Sequence, residues 1–178
     1  MRIAISGTHR TGKSTLVAAL AASLPTYKTV DEPYCSMEED GHEFSQPPSL
    51  EDFEAQLERS IADLNESGSD VLFDRCPLDI LGYLLAHADA DAFEQDAWLP
   101  SVKEAVQTLD LVVFVPIEHP DRIRVARSHD EGTPRAVVDE ALQEILLDDS
   151  LQLGVETLTV EGDIEARVRS VLRRIGVA

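Results

Sequence analysis

One octapeptide near the N-terminus has the residue types and spacing of a phosphate-binding loop. Residues 7–14 read Gly-Thr-His-Arg-Thr-Gly-Lys-Ser and fit the pattern G-x-x-x-x-G-K-[ST] at every position. The glycines let successive backbone N–H groups face one anion, and the helix that follows adds the positive end of its dipole. Lys13 can reach the β- and γ-phosphates of a nucleotide, and the Ser14 hydroxyl can ligate Mg²⁺. These features predict a site for ATP and Mg²⁺ formed by Gly7, Thr8, His9, Arg10, Thr11, Gly12, Lys13, Ser14 and Thr15.

Two carboxylates that follow predicted strands could serve the same reaction. Glu32 ends the second strand and precedes Pro33, which keeps the backbone of Glu32 extended. A carboxylate there can accept the proton of an attacking hydroxyl or hold Mg²⁺ through water, although it could also be a simple turn carboxylate. Asp74 ends the third strand, where it would serve Mg²⁺ together with Ser14 or, alternatively, cap the next helix. We predict that both carboxylates are catalytic, with Glu32 the preferred group for orienting the substrate hydroxyl.

The distribution of charge limits the classes of partner. The sequence has 15 lysine and arginine residues against 34 aspartate and glutamate residues, a formal net charge of −19. This acidity argues against nucleic acid and anionic membranes as partners, because both require a basic surface. A polyphosphate site must therefore gather its few cations locally. Arg75, next to Asp74, is predicted to neutralise phosphate oxygens through a bidentate contact, although a structural ion pair is the alternative.

A second group of cations follows the fourth predicted strand. Spacings of two and three residues prevent Arg122, Arg124 and Arg127 from all sharing one helical face, but Arg124 and Arg127 can share one. They would belong to a lid near residues 118–135 that adds positive charge in the transition state, with Arg124 contacting the nucleotide and Arg127 catalytic. The alternative is a solvated helix face whose arginines pair with nearby acidic residues. The whole group is Arg122, Arg124, Arg127 and Arg135.

The elements that must position these residues alternate between strand and helix. This alternation predicts one parallel sheet that is covered by helices on both faces. Continuous apolar runs such as 71–73 and 111–115 are typical of fully buried parallel strands. Residues 35–48 lack periodicity and are predicted to form a surface loop on the substrate side. The predicted strands are 2–6, 27–31, 70–74, 110–116 and 156–160, and the predicted helices are 13–23, 51–67, 78–88, 93–107, 120–128, 135–150 and 163–175.

The sequence predicts neither a membrane span nor a signal peptide. Its longest apolar run, residues 109–117, suits a buried strand and is too short to cross a bilayer. The first residues lead directly into the first strand. Cys35 and Cys76 match no zinc or redox spacing, so we expect free thiols in a reducing cytoplasm.

Taken together, these motifs resemble those of the P-loop nucleoside and nucleotide kinases. The pair Glu32-Pro33 is similar to the Glu-Pro of deoxynucleoside kinases, in which the glutamate is the base for the 5′-hydroxyl. Phe53-x-x-Gln56 resembles their base-recognising helix, although periodicity alone favours a core position for Phe53. Asp74-Arg75 is similar to the Asp-Arg of thymidylate kinases.

Two longer segments extend the resemblance. Residues 72–79 resemble a family of bacterial AAA-domain P-loop proteins, which includes the kinase half of enzymes that phosphorylate nicotinamide riboside. Residues 160–163 together with Arg167 are similar to the segment that borders adenine in such kinases. No lysine lies in an N-K-x-D guanine signature, which argues against a Ras-like GTPase. Residues 79–82 match D-x-x-G, but they lie inside a predicted helix and we assign them no role.

The resemblance implies an α/β fold, the three-layer α/β/α sandwich of P-loop NTPases with a five-stranded, nucleoside-kinase-like parallel sheet, as one domain over residues 1–178. It implies an ATP-dependent phosphotransferase with a small hydroxylated substrate, most simply a nucleoside or nucleoside-like molecule. It is also compatible with a homodimer. The rival interpretation is an ATP-binding regulatory NTPase that acts on a protein partner.

Strands two and three are neighbours in the sheets of nucleoside kinases. We therefore expect Cys35 and Cys76 at one rim of the substrate site, where bound substrate would protect them from alkylation.

Overall fold

A five-stranded parallel sheet organises the protein in the computed structural model, which describes residues 1–119 and 134–177. The strand order is β2-β3-β1-β4-β5, and every neighbouring pair is parallel. The strands are β1 (Arg2–Ser6), β2 (Lys28–Val30), β3 (Val71–Asp74), β4 (Leu111–Phe114) and β5 (Thr157–Thr159). The helices are α1 (Lys13–Ser23), α2 (Pro33–Glu39), α3 (Leu50–Glu66), α4 (Pro77–Leu85), α5 (Gln95–Val106), α6 (Arg135–Leu146) and α7 (Ile164–Arg174), with a 3₁₀ turn at Ala90–Ala92.

The apolar content of each strand accounts for its place in the sheet. The continuous apolar runs β3 and β4 are fully buried and flank β1 at the centre, whereas the two edge strands are partly exposed. Buried side chains cover both faces of the sheet in two separate clusters. One cluster joins the sheet to α3, α4, α5 and α6, and the other joins it to α1 and α7. This arrangement confirms the predicted three-layer α/β/α sandwich.

A helix cap and a close helix contact position the helices that border the site. Ser49 caps α3 through a reciprocal capping box with Asp52, as expected from the serine and the acidic residues after it. Gly82 lets α4 approach α6 closely, because a Cβ at residue 82 would lie 2.9 Å from a side-chain carbon of Leu142. The close contact packs α6, which begins at Arg135, against α4.

The structure departs from the predicted elements at one place in particular. Helix α2 occupies the beginning of the segment 35–48, which was predicted to be a surface loop. It is short, starts at Pro33, and buries only Pro33 and Met37, so it leaves no apolar stripe for periodicity to detect. The predicted helix 120–128 lies outside the described residues. Within the described ranges, no helix combines the length and apolarity that crossing a membrane requires.

Candidate active site

The predicted groups converge where the carboxyl ends of the strands meet. Residues 7–12 follow β1, Glu32 follows β2, and Asp74 and Arg75 lie at the end of β3. Because β2, β3 and β1 are adjacent, these three endings lie side by side at one edge of the sheet, where ligands of open parallel sheets bind.

Gly7 is required for the path of the loop after β1. Its φ is +147°, a conformation that favours glycine. A Cβ at this position would lie 2.4 Å from the carbonyl oxygen of Val115. The loop therefore passes too close to the backbone after β4 for any side chain at residue 7.

Side chains from several elements hold the carbonyl groups of the loop. Arg75 donates from Nη1 to the oxygen of Gly7 at 3.3 Å, and Lys13 donates from Nζ to the oxygen of Thr8 at 2.8 Å. Arg135 donates to the oxygens of His9 and Arg10 at 3.0 and 3.1 Å, and Arg167 donates to that of Thr11 at 2.8 Å. Five consecutive carbonyls thus face basic side chains, which turns the loop into a preorganised cradle for an anion.

Two arginines that were predicted elsewhere, Arg135 in the lid and Arg167 beside adenine, therefore support the loop through its carbonyl groups. Arg135 was a candidate for the lid, but it lies buried against the backbone of residues 9 and 10. Arg167 bonds to Thr11 and pairs with Glu118 at 2.9 Å, and Glu118 also accepts from the N–H of Gly162. These contacts attach α6 and α7 to the loop. Arg122, Arg124 and Arg127 lie outside the described residues.

Lys13, the invariant lysine of the motif, is almost fully buried. Burial, reinforced by the nearby Arg75, lowers its pKa to about 7. The acidic groups around it oppose this shift only in part. A buried ammonium with a depressed pKa is poised to be stabilised by a polyphosphate anion.

Ser14 and Asp74 form the pair that could hold a divalent cation. Burial raises the pKa of Asp74, and the nearby Ser14 side chain and Lys13 oppose this rise. Oxygen Oδ1 of Asp74 is buried without a hydrogen-bond partner in the described part of the chain. One hydroxyl and one carboxylate with an unused oxygen fit Mg²⁺, which takes few protein ligands and fills its octahedron with phosphate oxygens and water.

Glu32 and Arg75 form the ion pair at the centre of the site. The Nε of Arg75 lies 2.7 Å from Oε1 of Glu32, and its Nη1 lies 3.8 Å from Oδ1 of Asp79. The guanidinium also lies over the ring of Tyr83, 5.3 Å from its centroid. Arg75 is thus fixed by contacts on several sides, and it holds Glu32 at the end of β2.

Asp79 is a site residue that the sequence analysis missed. It is fully buried, accepts from the N–H of Gly7 at 2.9 Å and from that of Cys76 at 3.0 Å, and thereby caps α4 and holds the loop. Burial raises its pKa, an effect opposed by Arg75 and Lys13. The D-x-x-G match was set aside as a motif and no role was assigned to Asp79, which the structure shows to support the loop from inside α4. The available signal was its position three residues after the cap Cys76, whereas Asp74 was the residue considered as a cap.

A pocket opens beside this ion pair. Phe53 and Tyr83 stack along its wall with ring centroids 5.4 Å apart and an interplanar angle of 12°. Phe53 therefore belongs both to the core, as periodicity predicted, and to the pocket. Gln56 is buried and donates to the carbonyl oxygen of Asp52 at 3.3 Å. The pocket is lined by His9, Glu32, Tyr34, Pro48, Phe53, Gln56, Arg75, Ile80 and Tyr83.

A family model described as an AAA domain matches residues 2–167. The chain belongs to this family. No curated protein matches the sequence significantly.

Solved structures with this fold are similar to the chain at low sequence identity. Deoxyadenosine kinase from M. mycoides with bound dATP is 16% identical, with a TM-score of 0.66 over 99% of this chain and 100% of that one. NadR protein in complex with NR is 16% identical, with a TM-score of 0.69 over 99% of this chain and 50% of that chain. Thymidylate kinase from Candida albicans is 16% identical, with a TM-score of 0.64 over 98% and 90%. These matches confirm the fold of P-loop kinases.

Two further predictions can be compared with the geometry of this AAA domain. Strands β2 and β3 are neighbours, as expected. The thiols that follow them differ, because Cys35 is exposed whereas Cys76 is buried as the cap of α4. The predicted adenine-side segment borders a separate open cleft, which is lined by Ile117, Glu118, His119, Glu161 and Gly162.

Proposed function

We propose that this protein is an ATP-dependent phosphotransferase that phosphorylates a hydroxyl group of a nucleoside or nucleoside-like molecule. The observation that carries the proposal is the position of Glu32. Its carboxylate lines an aromatic pocket and is held by Arg75, which also bonds to the phosphate-binding loop. An acceptor in this pocket would present its hydroxyl between a carboxylate and the loop, which is the arrangement that phosphoryl transfer requires.

Each proposed role rests on a contact of the residue or on its place in the motif. Glu32 orients the acceptor hydroxyl and takes its proton, while Arg75 keeps the carboxylate in place and stabilises charge on the transferred group. Lys13 binds the β- and γ-phosphates. Ser14 and Asp74 would hold Mg²⁺, which neutralises phosphate charge when bound. We also propose that Arg124 contacts the nucleotide and that Arg127 adds positive charge in the transition state.

The pocket also fits the proposed class of acceptor. The Phe53–Tyr83 wall offers a flat apolar surface to a planar ring, and Gln56 offers an amide at its edge. We further propose that the acceptor is a free small molecule, with no nucleic acid or membrane involved, because the net charge of −19 disfavours both. Two free cysteines fit a reducing cytoplasm.

A ligand screen followed by a transfer assay tests the proposal. Melting temperatures would be measured with Mg²⁺ and the ATP analogue AMP-PNP against a panel of nucleosides, nucleotides and cofactor precursors. Compounds that stabilise the protein would then be incubated with radiolabelled ATP. We expect labelled product from at least one nucleoside-like compound. Hydrolysis of ATP that no compound in the panel accelerates would contradict the proposal and favour a regulatory NTPase that acts on a protein partner.

The titration of Lys13 predicts a pH dependence of ATP binding. Below its pKa of about 7 the side chain is already cationic, whereas above that pH it must take up a proton to pair with phosphate. ATP affinity should therefore fall by up to about tenfold per pH unit above 7. Calorimetry in buffers of different ionisation enthalpy should detect about one proton taken up at pH 8 and almost none at pH 6. A Lys13→Arg variant, whose side chain stays charged, should show no uptake; equal uptake in both proteins would contradict the assignment.

The exposed thiol near the site gives a further prediction. Cys35 lies close enough to Glu32 and Asp74 for both to contribute to the rise of its pKa, which comes first from burial. We expect iodoacetamide to modify Cys35 alone in the native protein, to slow phosphoryl transfer, and to react more slowly when acceptor is bound. Intact-mass spectrometry and activity would be followed together, with Cys35→Ser as the control. Modification at the same rate with and without acceptor would place Cys35 outside the acceptor site.

A further inference from the structure

Tyr83 belongs both to the acceptor pocket and to the support of the phosphate-binding loop. Its ring stacks on Phe53 in the pocket wall, and the residue is 9% exposed. Its hydroxyl oxygen accepts the backbone N–H of His9 at 3.0 Å and lies 3.1 Å from Nδ1 of the same histidine. The ring of Tyr83 thus forms part of the proposed acceptor-binding surface, while its hydroxyl group contacts the phosphate-binding loop.

The hydrogen bonds of Tyr83 favour one tautomer of the neutral His9 ring. The backbone N–H can only donate to the phenol oxygen, so the hydroxyl hydrogen remains to be placed. If it donates to Nδ1, the neutral imidazole carries its own hydrogen on Nε2. The opposite tautomer would leave the buried hydroxyl hydrogen without an acceptor among the described contacts, in addition to Nε2, which has no partner there in either case. We therefore infer that the network favours the Nε2–H form.

The charges around His9 are consistent with a neutral ring. The charged groups that lower its pKa are all basic: Arg75 at the end of β3, Arg135 on α6, Lys13 on α1 and Arg10 in the loop. Glu32 and Tyr83 line the same pocket as His9. Burial first, and then these cations, lower the pKa of His9 to about 4.

Helix α4 uses this contact, together with Asp79, to fix the first half of the loop. Asp79 holds the N–H of Gly7, and Tyr83 holds that of His9. Neither N–H is then free to turn towards a phosphate, which sets the direction of the backbone before the residues that start α1. We infer that Tyr83 is a positioning residue that ties the phosphate-binding loop to the acceptor pocket, with His9 as its fixed partner. The acceptor half of this inference rests on the proposed function.

The removal of the Tyr83 hydroxyl tests the link to the loop. A Tyr83→Phe variant keeps the ring in the pocket wall but leaves the N–H of His9 without an acceptor. The affinity for AMP-PNP with Mg²⁺ should fall by about tenfold, the order expected for one buried hydrogen-bonding group left unsatisfied. Tyr27→Phe, which removes a hydroxyl beside the other core cluster, is the matched control and should bind AMP-PNP normally. Unchanged affinity in Tyr83→Phe would overturn the inference.

Nitrogen-15 spectra of the imidazole provide a readout that a general loss of stability would not mimic. The wild-type spectrum should contain one histidine that is neutral and protonated on Nε2 from pH 8 to pH 5, and a His9→Gln variant identifies it by its absence. In Tyr83→Phe this histidine should populate both tautomers, with a raised pKa. A wild-type His9 protonated on Nδ1, or titrating near 6.5 like a free histidine, would overturn the inference even if Tyr83→Phe did not fold.

Both measurements use protein to which no phosphoryl-acceptor substrate has been added. Failure to find any such substrate would contradict the proposed function but leave these results interpretable. Conversely, normal AMP-PNP binding in Tyr83→Phe would overturn the positioning role while leaving phosphoryl transfer as proposed.

Discussion

Replacement of Glu32 by glutamine is expected to lower phosphoryl transfer to an acceptor by about 10²–10⁴-fold, the usual contribution of a general base. Glutamine keeps the shape and reach of the side chain but cannot take the hydroxyl proton. ATP affinity should change little, because Lys13 and Ser14 are untouched. Transfer, ATP binding and acceptor-free hydrolysis would each be measured. The structure is consistent with a selective loss of transfer, because Glu32 lines the pocket and pairs with Arg75.

Asp74→Asn is the matched control for this prediction, because it removes one carboxylate charge from the same site. If Asp74 mainly serves Mg²⁺, its loss should weaken the Mg²⁺ dependence and reduce all turnover, including background hydrolysis. Glu32→Gln should reduce only transfer to the acceptor. An equal loss of all three activities in Glu32→Gln would mean that the two carboxylates have been assigned the wrong way round.

Replacement of Lys13 by alanine should reduce ATP turnover by at least about 10²–10³-fold, the effect of removing one charge-stabilising donor from an active site. The protein should remain folded, because a buried ammonium that bonds to the carbonyl of Thr8 has a desolvation cost that alanine lacks. Binding of AMP-PNP should fall in parallel. Lys103→Ala, which removes an exposed hydrogen bond to Gln152, is the control and should retain activity.

Two measurements decide this prediction. Circular dichroism and the melting temperature establish that Lys13→Ala is folded, and turnover with calorimetry establishes what it has lost. A folded Lys13→Ala variant with wild-type turnover would contradict the assignment of the whole loop as a nucleotide site.

The strands and most helices could be predicted because their signals are local. The buried runs in β3 and β4 are apolar without interruption, and α3 carries its own cap at Ser49. Helix α2 could not be predicted, since seven residues with two buried side chains do not produce a periodic pattern. Its position depends on the chain turning after β2 at Pro33.

The residues of the candidate site also divide into those with a local sequence signal and those whose contacts are distant in sequence. Lys13, Ser14, Glu32 and Asp74 were predicted from a motif and from strand endings, which are features of short segments. The capping position of Asp79 had a local signal, but the bonds of Asp79 and Tyr83 to the loop could not be predicted, because they join residues 72 and 74 positions apart in the sequence.

The sequence by itself determined the phosphate-binding loop, the parallel α/β class and the carboxylates at the strand ends, because the spacing of neighbouring residues fixes each of these. Only the tertiary structure decided which cations support the loop and which line the pocket. Arg135 and Arg167 come from helices that are distant in sequence, and their guanidinium groups bond to loop carbonyls only once α6 and α7 have packed. The physical reason is that a side chain's partner is chosen by the packing of whole elements, which local sequence patterns do not encode.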